Sequence, residues 1–426
     1  MQWPAYKKIA FRFLSIYLFL FIMSNQFILS GLFHLLWQEL IPWFGETILQ
    51  LPEMDMKQTG SGDKMYNWVS ILVYAVIALI GTIIWSILDK KRPHYQVLLN
   101  WLLVLVRYYL VWQMCLYGLA KLFYMQFQPP SLGRLIEPFG DFSPMAVLWT
   151  FMGYSKSYTF FAGLGELVGG LLLLSRKTQT LGAIIILGVM SNVMAMNFFY
   201  DVPVKILSTH LVLLALFLIA IDFQRIYRVF ILNEATEPME WLPYTTDKEF
   251  IQIKNYLKWG AVILGLGFFV FISTTNLKKY GPNAAKPPLY GLYEVDTYIQ
   301  NGIVQPPLLT DTIRWRRLLL ERRNNARIYQ MDDSRDNYRV KTDTVNHWLK
   351  IKAPKDTVFR DSFKYNLPTP LELQLNGIFQ GDTLDILLKK QPRDSFPLIK
   401  RGFHCCLLYT SPSPRDATLS RMPSSA

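Results

Sequence analysis

The sequence predicts a mainly α-helical membrane protein: a polytopic bundle of about seven transmembrane helices, followed by a small, mostly-β soluble domain at the C-terminal end. Three observations predict it. Of the 426 residues, 51% are hydrophobic and 15% aromatic, and the mean hydropathy is positive, a composition that marks membrane proteins. Apolar runs of roughly 20 residues, the length a helix needs to cross about 30 Å of hydrocarbon, recur from the N-terminus to residue 275. Beyond residue 280 the apolar residues alternate at a period of two, as in half-buried strands.

Lys7, Lys8 and Arg12 precede the first run, 13–29, after which no small-x-small cleavage site follows, so it reads as an uncleaved first helix. Residues 31–68 read as an acidic outer loop with a flexible point at Gly60-Ser61-Gly62. A second helix, 69–88, ends in Asp89-Lys90-Lys91-Arg92-Pro93, a cluster that the positive-inside rule assigns to the cytoplasm. Together these make an N-terminal segment, 1–96, of two spans.

The core of the chain is 97–222, with four apolar runs at 97–119, 158–174, 180–197 and 204–221. Residues 145–152, between prolines, are too short to span. A polar link and a seventh helix, 256–275, complete a segment 223–279. Lys and Arg gather in the proposed inner segments (Lys7, Lys8, Arg12, Lys90–Arg92, Arg176, Lys177, Arg225, Arg228, Lys248, Lys254, Lys258) more than in the outer ones (Lys57, Lys64, Lys121, Arg134, Lys156, Lys205). That bias predicts a cytoplasmic N-terminus in a bacterial inner (plasma) membrane, and an odd number of spans then puts the C-terminal domain in the periplasm. It also accounts for the net charge of +13 without any nucleic-acid partner.

The outer domain, 280–404, opens with a stiff Pro-rich linker and an Arg-rich piece, 313–327, that reads as helical. Strands follow at 338–342, 347–352 and 371–375, with Asn376-Gly377 and Gly381-Asp382 as hairpin turns. The domain is the natural place for an envelope protein partner to bind. The segment 405–426 matches nothing before it and reads as a non-native tail, which would leave the β domain without its last strand.

Chemistry concentrates in the core. Arg107, Glu166, Asn192 and His210 fall near the middle of four neighbouring runs. A lone charge at such depth costs at least about 2.5–3.5 kcal/mol, so Arg107 and Glu166 are expected to pair. Lys121 is expected at the outer mouth, snorkelling. As a functional layer these residues could relay protons or hold a ligand; as a structural one they fix helix register through an ion pair and interhelical hydrogen bonds. Gly118, Gly163, Gly165, Gly169 and Gly170 are placed for close helix contacts. A single His without a second ligand at metal spacing predicts no metal site. Phosphate-binding, dinucleotide, serine-hydrolase and zinc-protease motifs are all missing, so no enzyme class follows from motifs. No inverted repeat supports a small-solute or proton transporter.

The block Arg107 … Gly118-x-x-Lys121, followed by Gly163-x-x-Glu166-x-x-Gly169-Gly170 and a basic turn at Arg176, resembles the DoxX-like family of membrane proteins over about 97–222. The resemblance implies a four-helix bundle in the plasma membrane. It also implies either a quinone-linked oxidoreductase subunit, with quinone as the cofactor, or an accessory or structural subunit of an envelope complex. The extra helices and the C-terminal domain depart from the short family form. The accessory role, with a partner on 280–404, is the leading expectation.

Overall fold

A computed structural model describes residues 2–24, 30–54, 62–237, 248–281 and 284–402. It divides into two compact units, a helical one and a β one. The flexible point at Gly60-Ser61 and the tail 405–426 lie outside the described residues.

The helices of the first unit are α1 (Ala5–Ser24), α2 (Ser30–Trp43), α3 (Met65–Leu88) and α4 (Gln96–Leu122). A five-residue helix, α5 (Leu132–Ile136), belongs to the other unit, and the first resumes with α6 (Pro144–Tyr154), α7 (Lys156–Leu172), α8 (Gln179–Phe199), α9 (Lys205–Ile221), α10 (Phe223–Tyr227) and α11 (Lys248–Tyr280). Residues 31–68 are therefore not one acidic loop. The apolar residues between Ser30 and Trp43 carry α2, continued by a π-helical turn at Phe44–Ile48, because Leu, Phe and Trp outnumber the breakers there.

Among the described residues, α3, α4, α8 and Asn255–Tyr280 within α11 are long and apolar enough to cross a membrane. The pair Lys205–Ile221 and Phe223–Leu232, bent by 76°, adds a fifth if counted as one span. The 17 residues of α7 and the charged start of α1 keep those two helices short of that measure.

Packing closes a ring: α4 lies on α7, α7 on α8, α8 on α9, and α9 returns to α4, while α1 packs beside α4 and α3 packs on α1. One end of the unit is tied by polar contacts. The Arg12 guanidinium, buried, donates to the Tyr95 hydroxyl at 2.7 Å and to the Asp89 carbonyl at 3.0 Å, and Thr180 donates to Asp222 at 2.6 Å. At the other end Asp63 accepts from the backbone N–H groups of Lys205 and Ile206, at 2.7 and 3.1 Å, two of the donors that a helix N-terminus leaves open.

The second unit is a closed antiparallel barrel. Its strands are β1 (Gly291–Gln300), β2 (Ile303–Val304), β3 (Trp315–Leu320), β4 (Asn325–Gln330), β5 (Arg335–Asp343), β6 (Trp348–Lys352), β7 (Asp361–Asn366), β8 (Glu372–Phe379) and β9 (Asp382–Gln391), with a final turn of helix, α12 (Pro397–Lys400). Each strand pairs with the next around an eight-stranded ring, and β9 closes it on β1 from Leu292↔Gln391 to Gln300↔Leu384; β2 is a short flap on β1. Because β9 supplies the closing edge, the ring lacks no strand, contrary to the expectation drawn from the tail.

Two further expectations change. The Arg-rich piece 313–327 is not helical; it is the β3–β4 hairpin, in which Trp315, Leu318 and Leu320 point into the core. Its consecutive Leu318-Leu319-Leu320 are all buried in the strand, and a bulge between Trp315 and Arg317 accommodates the adjacent arginines. Asn376-Gly377 is not a turn but lies inside β8, where the carbonyl of Ser362 on β7 leaves no room for a Cβ. The turn at Gly381 stands: Gln380 and Gly381 have φ of 53° and 97°, the two positive values a tight hairpin needs.

Residues Ser131–Glu137 belong to the barrel unit. Leu132 is buried with Leu292, Leu319 and Tyr329, and Glu137 accepts from Arg134 at 2.7 Å and lies 3.5 Å from Arg335. This segment is thereby fastened to the barrel wall within its own unit.

Candidate functional site

The site follows from how α4 and α7 meet. They run antiparallel, with Gly118 against Gly163: a Cβ on Gly163 would sit 2.7 Å from Lys121 Cβ and 2.8 Å from the Gly118 carbonyl oxygen. Gly170 makes the same close approach to Met114 Cβ, while Gly165 and Gly169 face Val189 and Ile186 of α8. The five glycines thus serve both faces of α7, as small residues do at helix interfaces in membranes.

This register corrects the expected pair. Arg107 does not meet Glu166. Its Nε donates to the Leu173 carbonyl at 3.0 Å, and its Nη2 donates to the same oxygen. It is buried at the C-terminal end of α7, where carbonyls lack helical partners and the macrodipole favours a cation. Glu166 instead accepts from Lys121 Nζ through both oxygens, at 2.7 and 2.8 Å. Lys121 is therefore not a snorkelling residue at the mouth; it is 4% exposed and Glu166 1%. The reason is directional. Side chains lean towards the N-terminus of their own helix, so in an antiparallel pair Lys121 and Glu166 lean towards each other, whereas Arg107 leans away.

His210 lies elsewhere in the bundle. The Ile206 carbonyl can only accept, so Nδ1 at 2.8 Å carries the proton, and Nε2 accepts from the Tyr17 hydroxyl at 2.7 Å. The ring stacks on Phe21 with centroids 3.9 Å apart. This histidine, bonded through both ring nitrogens, joins α1 to α9.

Asn192, by contrast, faces the same space as the Lys121–Glu166 pair. Both border a cavity of about 290 Å³ whose walls also carry Gln126, Trp149, Tyr158 and Ser208. The Ser208 hydroxyl donates to the Val204 carbonyl at 3.0 Å. Gln126 Oε1, buried, has no hydrogen-bond partner among the described residues, and the Asn192 side chain has none either. The buried Gln126 oxygen, left unbonded away from water, costs about 1–3 kcal/mol on protein scales, whereas Asn192 is exposed at the cavity edge. The cavity therefore offers a lysine N–H, the outer lone pairs of a carboxylate, and two amide groups to something that enters it. Gln126 and the Lys121–Glu166 contact carried no sequence pattern of their own; the helix register reveals them. Among the described residues no group of three His, Cys, Asp or Glu could hold a metal.

Long apolar helices packed around a polar-edged cavity, with a C-terminal closed barrel, fit the class of helical membrane proteins with an added β domain. The chain is 32% identical over 133 residues to the uncharacterized protein YwoB of Bacillus subtilis (strain 168), a match covering 29% of this chain and 79% of that protein. It belongs to the same family as YwoB. No family model matches the chain, and no solved structure does.

Proposed function

We propose that this is an integral inner-membrane protein of about seven spans, with its N-terminus in the cytoplasm and its barrel in the periplasm, whose helical core binds a small amphipathic molecule of the quinone type. In this reading it works as the membrane subunit of an envelope complex, and the barrel meets the partner.

The observation that carries the binding role is the cavity where unbonded Asn192 and Gln126 face the buried Lys121–Glu166 pair. A quinone head group fits that donor set. Asn192 Nδ2 and Lys121 Nζ can donate to ring carbonyl oxygens, Gln126 Oε1 and Glu166 can accept from ring hydroxyls, and Trp149 and Tyr158 give the flat apolar wall. When bound, a quinone supplies two-electron, two-proton chemistry. The chain itself orients the ring, excludes water and holds a proton at Glu166, while electrons come from a partner subunit.

The orientation is supported by charge. Arg12, Arg92, Arg176 and Arg225 sit on or beside the elements that meet at the Arg12–Asp89 and Thr180–Asp222 end of the unit, as cytoplasmic ends do.

Organic extraction of the purified protein, followed by chromatography, tests the binding role. Wild type is expected to release quinone in near-stoichiometric amount and Asn192→Leu far less, with both variants inserted alike. A wild type that carries none, even after purification from quinone-supplemented lipid, overturns the proposal. A reporter needing the periplasm, fused after residue 402, tests the orientation, and cytoplasmic signal contradicts it.

A further inference from the structure

The barrel wall made by β5, β6 and β7 arranges charge differently from the rest of its circumference. Elsewhere cations face acids: Arg317 lies opposite Glu294, Lys389 donates to Asp296 at 2.8 Å, Arg316 pairs with Asp333, and Arg327 with Glu321. On β5–β7 the inward residues are Tyr338, Val340, Leu349, Ile351, Phe363 and Tyr365, all buried. The outward ones include Arg339, Lys341, Lys350, Lys352 and Lys364, cations set against the single acid Asp343 at the end of β5. The register sets Arg339 directly opposite Lys352 and Lys341 directly opposite Lys350. Directly opposed side chains in a sheet are about 5 Å apart at Cβ, and like charges there destabilise. Arg339, Lys341 and Lys364 make no hydrogen bond or ion pair among the described residues, and Lys350 has the charge of Asp343 near it without a direct ion pair. Packing gives no reason for this repulsion; an anion would remove it.

Two features beside the cations indicate which anion. Trp348, opposite Lys364 on the outer face, leaves over a third of its surface exposed (37%). Next to it a shallow concavity of about 580 Å³ is lined by His347, Lys364, Asn366, Gln374 and Asn376. An indole face beside a row of amides suits a sugar ring with its hydroxyls, and the cations suit an acidic group on each repeat. A curved barrel wall with a groove suits a chain better than a flat membrane surface.

We propose that the β5–β7 wall binds an anionic polysaccharide, with Arg339, Lys341, Lys350 and Lys364 meeting its acidic groups and Trp348 with the neighbouring amides meeting its sugar rings. The full chain, held in nanodiscs of neutral lipid, tests this with polygalacturonate as the probe. Saturable binding that weakens with salt is expected, because exposed charge pairs are screened. The triple variant Lys341→Gln, Lys350→Gln, Lys364→Gln should lose about tenfold or more, three exposed contacts together. A charge-matched control, Lys286→Gln, Lys400→Gln, Arg401→Gln, should stay within about twofold of wild type, and circular dichroism should show all three proteins equally folded. The proposal is overturned if the two triple variants bind alike or if wild type does not bind. It is also overturned if neutral dextran, polyglutamate or phosphatidylglycerol vesicles bind as well as polygalacturonate.

Discussion

Replacing Lys121 with Met should be among the most damaging single changes in the helical unit. The amine and carboxylate lie 2.7 and 2.8 Å apart, with side-chain exposures of 5% and 1%, so removing the amine leaves Glu166 as a buried charge without its partner. Breaking such a pair costs about 3–5 kcal/mol, whereas replacing both partners with apolar residues is often neutral or stabilising. The double variant Lys121→Met, Glu166→Leu should therefore recover most of the loss, giving a coupling of several kcal/mol. A parallel cycle with Arg107→Leu and Glu166→Leu should be additive within about 0.5 kcal/mol, since Arg107 is bound to the Leu173 carbonyl instead. Reversible unfolding in mixed micelles, followed by circular dichroism, measures both cycles. If Lys121→Met falls within about 1 kcal/mol of wild type, or Glu166 couples more strongly to Arg107 than to Lys121, the geometric reasoning fails.

Three other outcomes are expected. Gly163→Val should destabilise the helical unit by about 1–3 kcal/mol or more, because its Cβ meets Lys121 Cβ and the Gly118 carbonyl; the same unfolding assay checks it. Lys350→Glu should raise the melting temperature of the barrel while abolishing polysaccharide binding, as a repulsive cross-strand contact with Lys341 becomes attractive, worth about 0.2–1 kcal/mol; calorimetry reads the first effect. Burial pushes the Tyr293 phenol from its ordinary 10.0 up to about 12. The folded state then holds that proton longer than the unfolded one, so Tyr293 contributes full stability below pH 10 that is lost between pH 10 and about 12. Tyr293→Phe should flatten that part of the stability–pH curve, and a curve unchanged by the substitution would contradict the assignment.

Much of the architecture was legible because apolar run length and alternation are direct readouts of hydrocarbon thickness and strand pleat. The core runs became α4, α7, α8 and α9, and the alternating stretches became barrel strands. The glycines of α7 were legible as contact points because small residues have few other uses in a lipid-facing helix. What failed did so for identifiable reasons. Arg107 and Glu166 share a depth in the sequence, yet depth ignores the lean of a side chain along its helix, which selects Lys121. The arginines of 313–327 resembled a solvated helix face because the leucines between them, Leu318-Leu319-Leu320, are consecutive and carry no period-two alternation that would mark a strand. Gln126 lies just past the end of α4, where no periodicity marks it. The fastening of Ser131–Glu137 to the barrel pairs residues far apart in the chain, and one sequence holds no record of such a pairing.

Photolabelling tests the central claim most directly. A photoreactive quinone analogue, incorporated with the full chain into nanodiscs and mapped by peptide mass spectrometry, should label cavity-wall residues such as Trp149, Met152 and Asn192, and excess unmodified quinone should suppress that label. Label confined to the apolar groove between α4 and α11, around Trp112 and Phe269, or a cavity label indifferent to competitor, would contradict it.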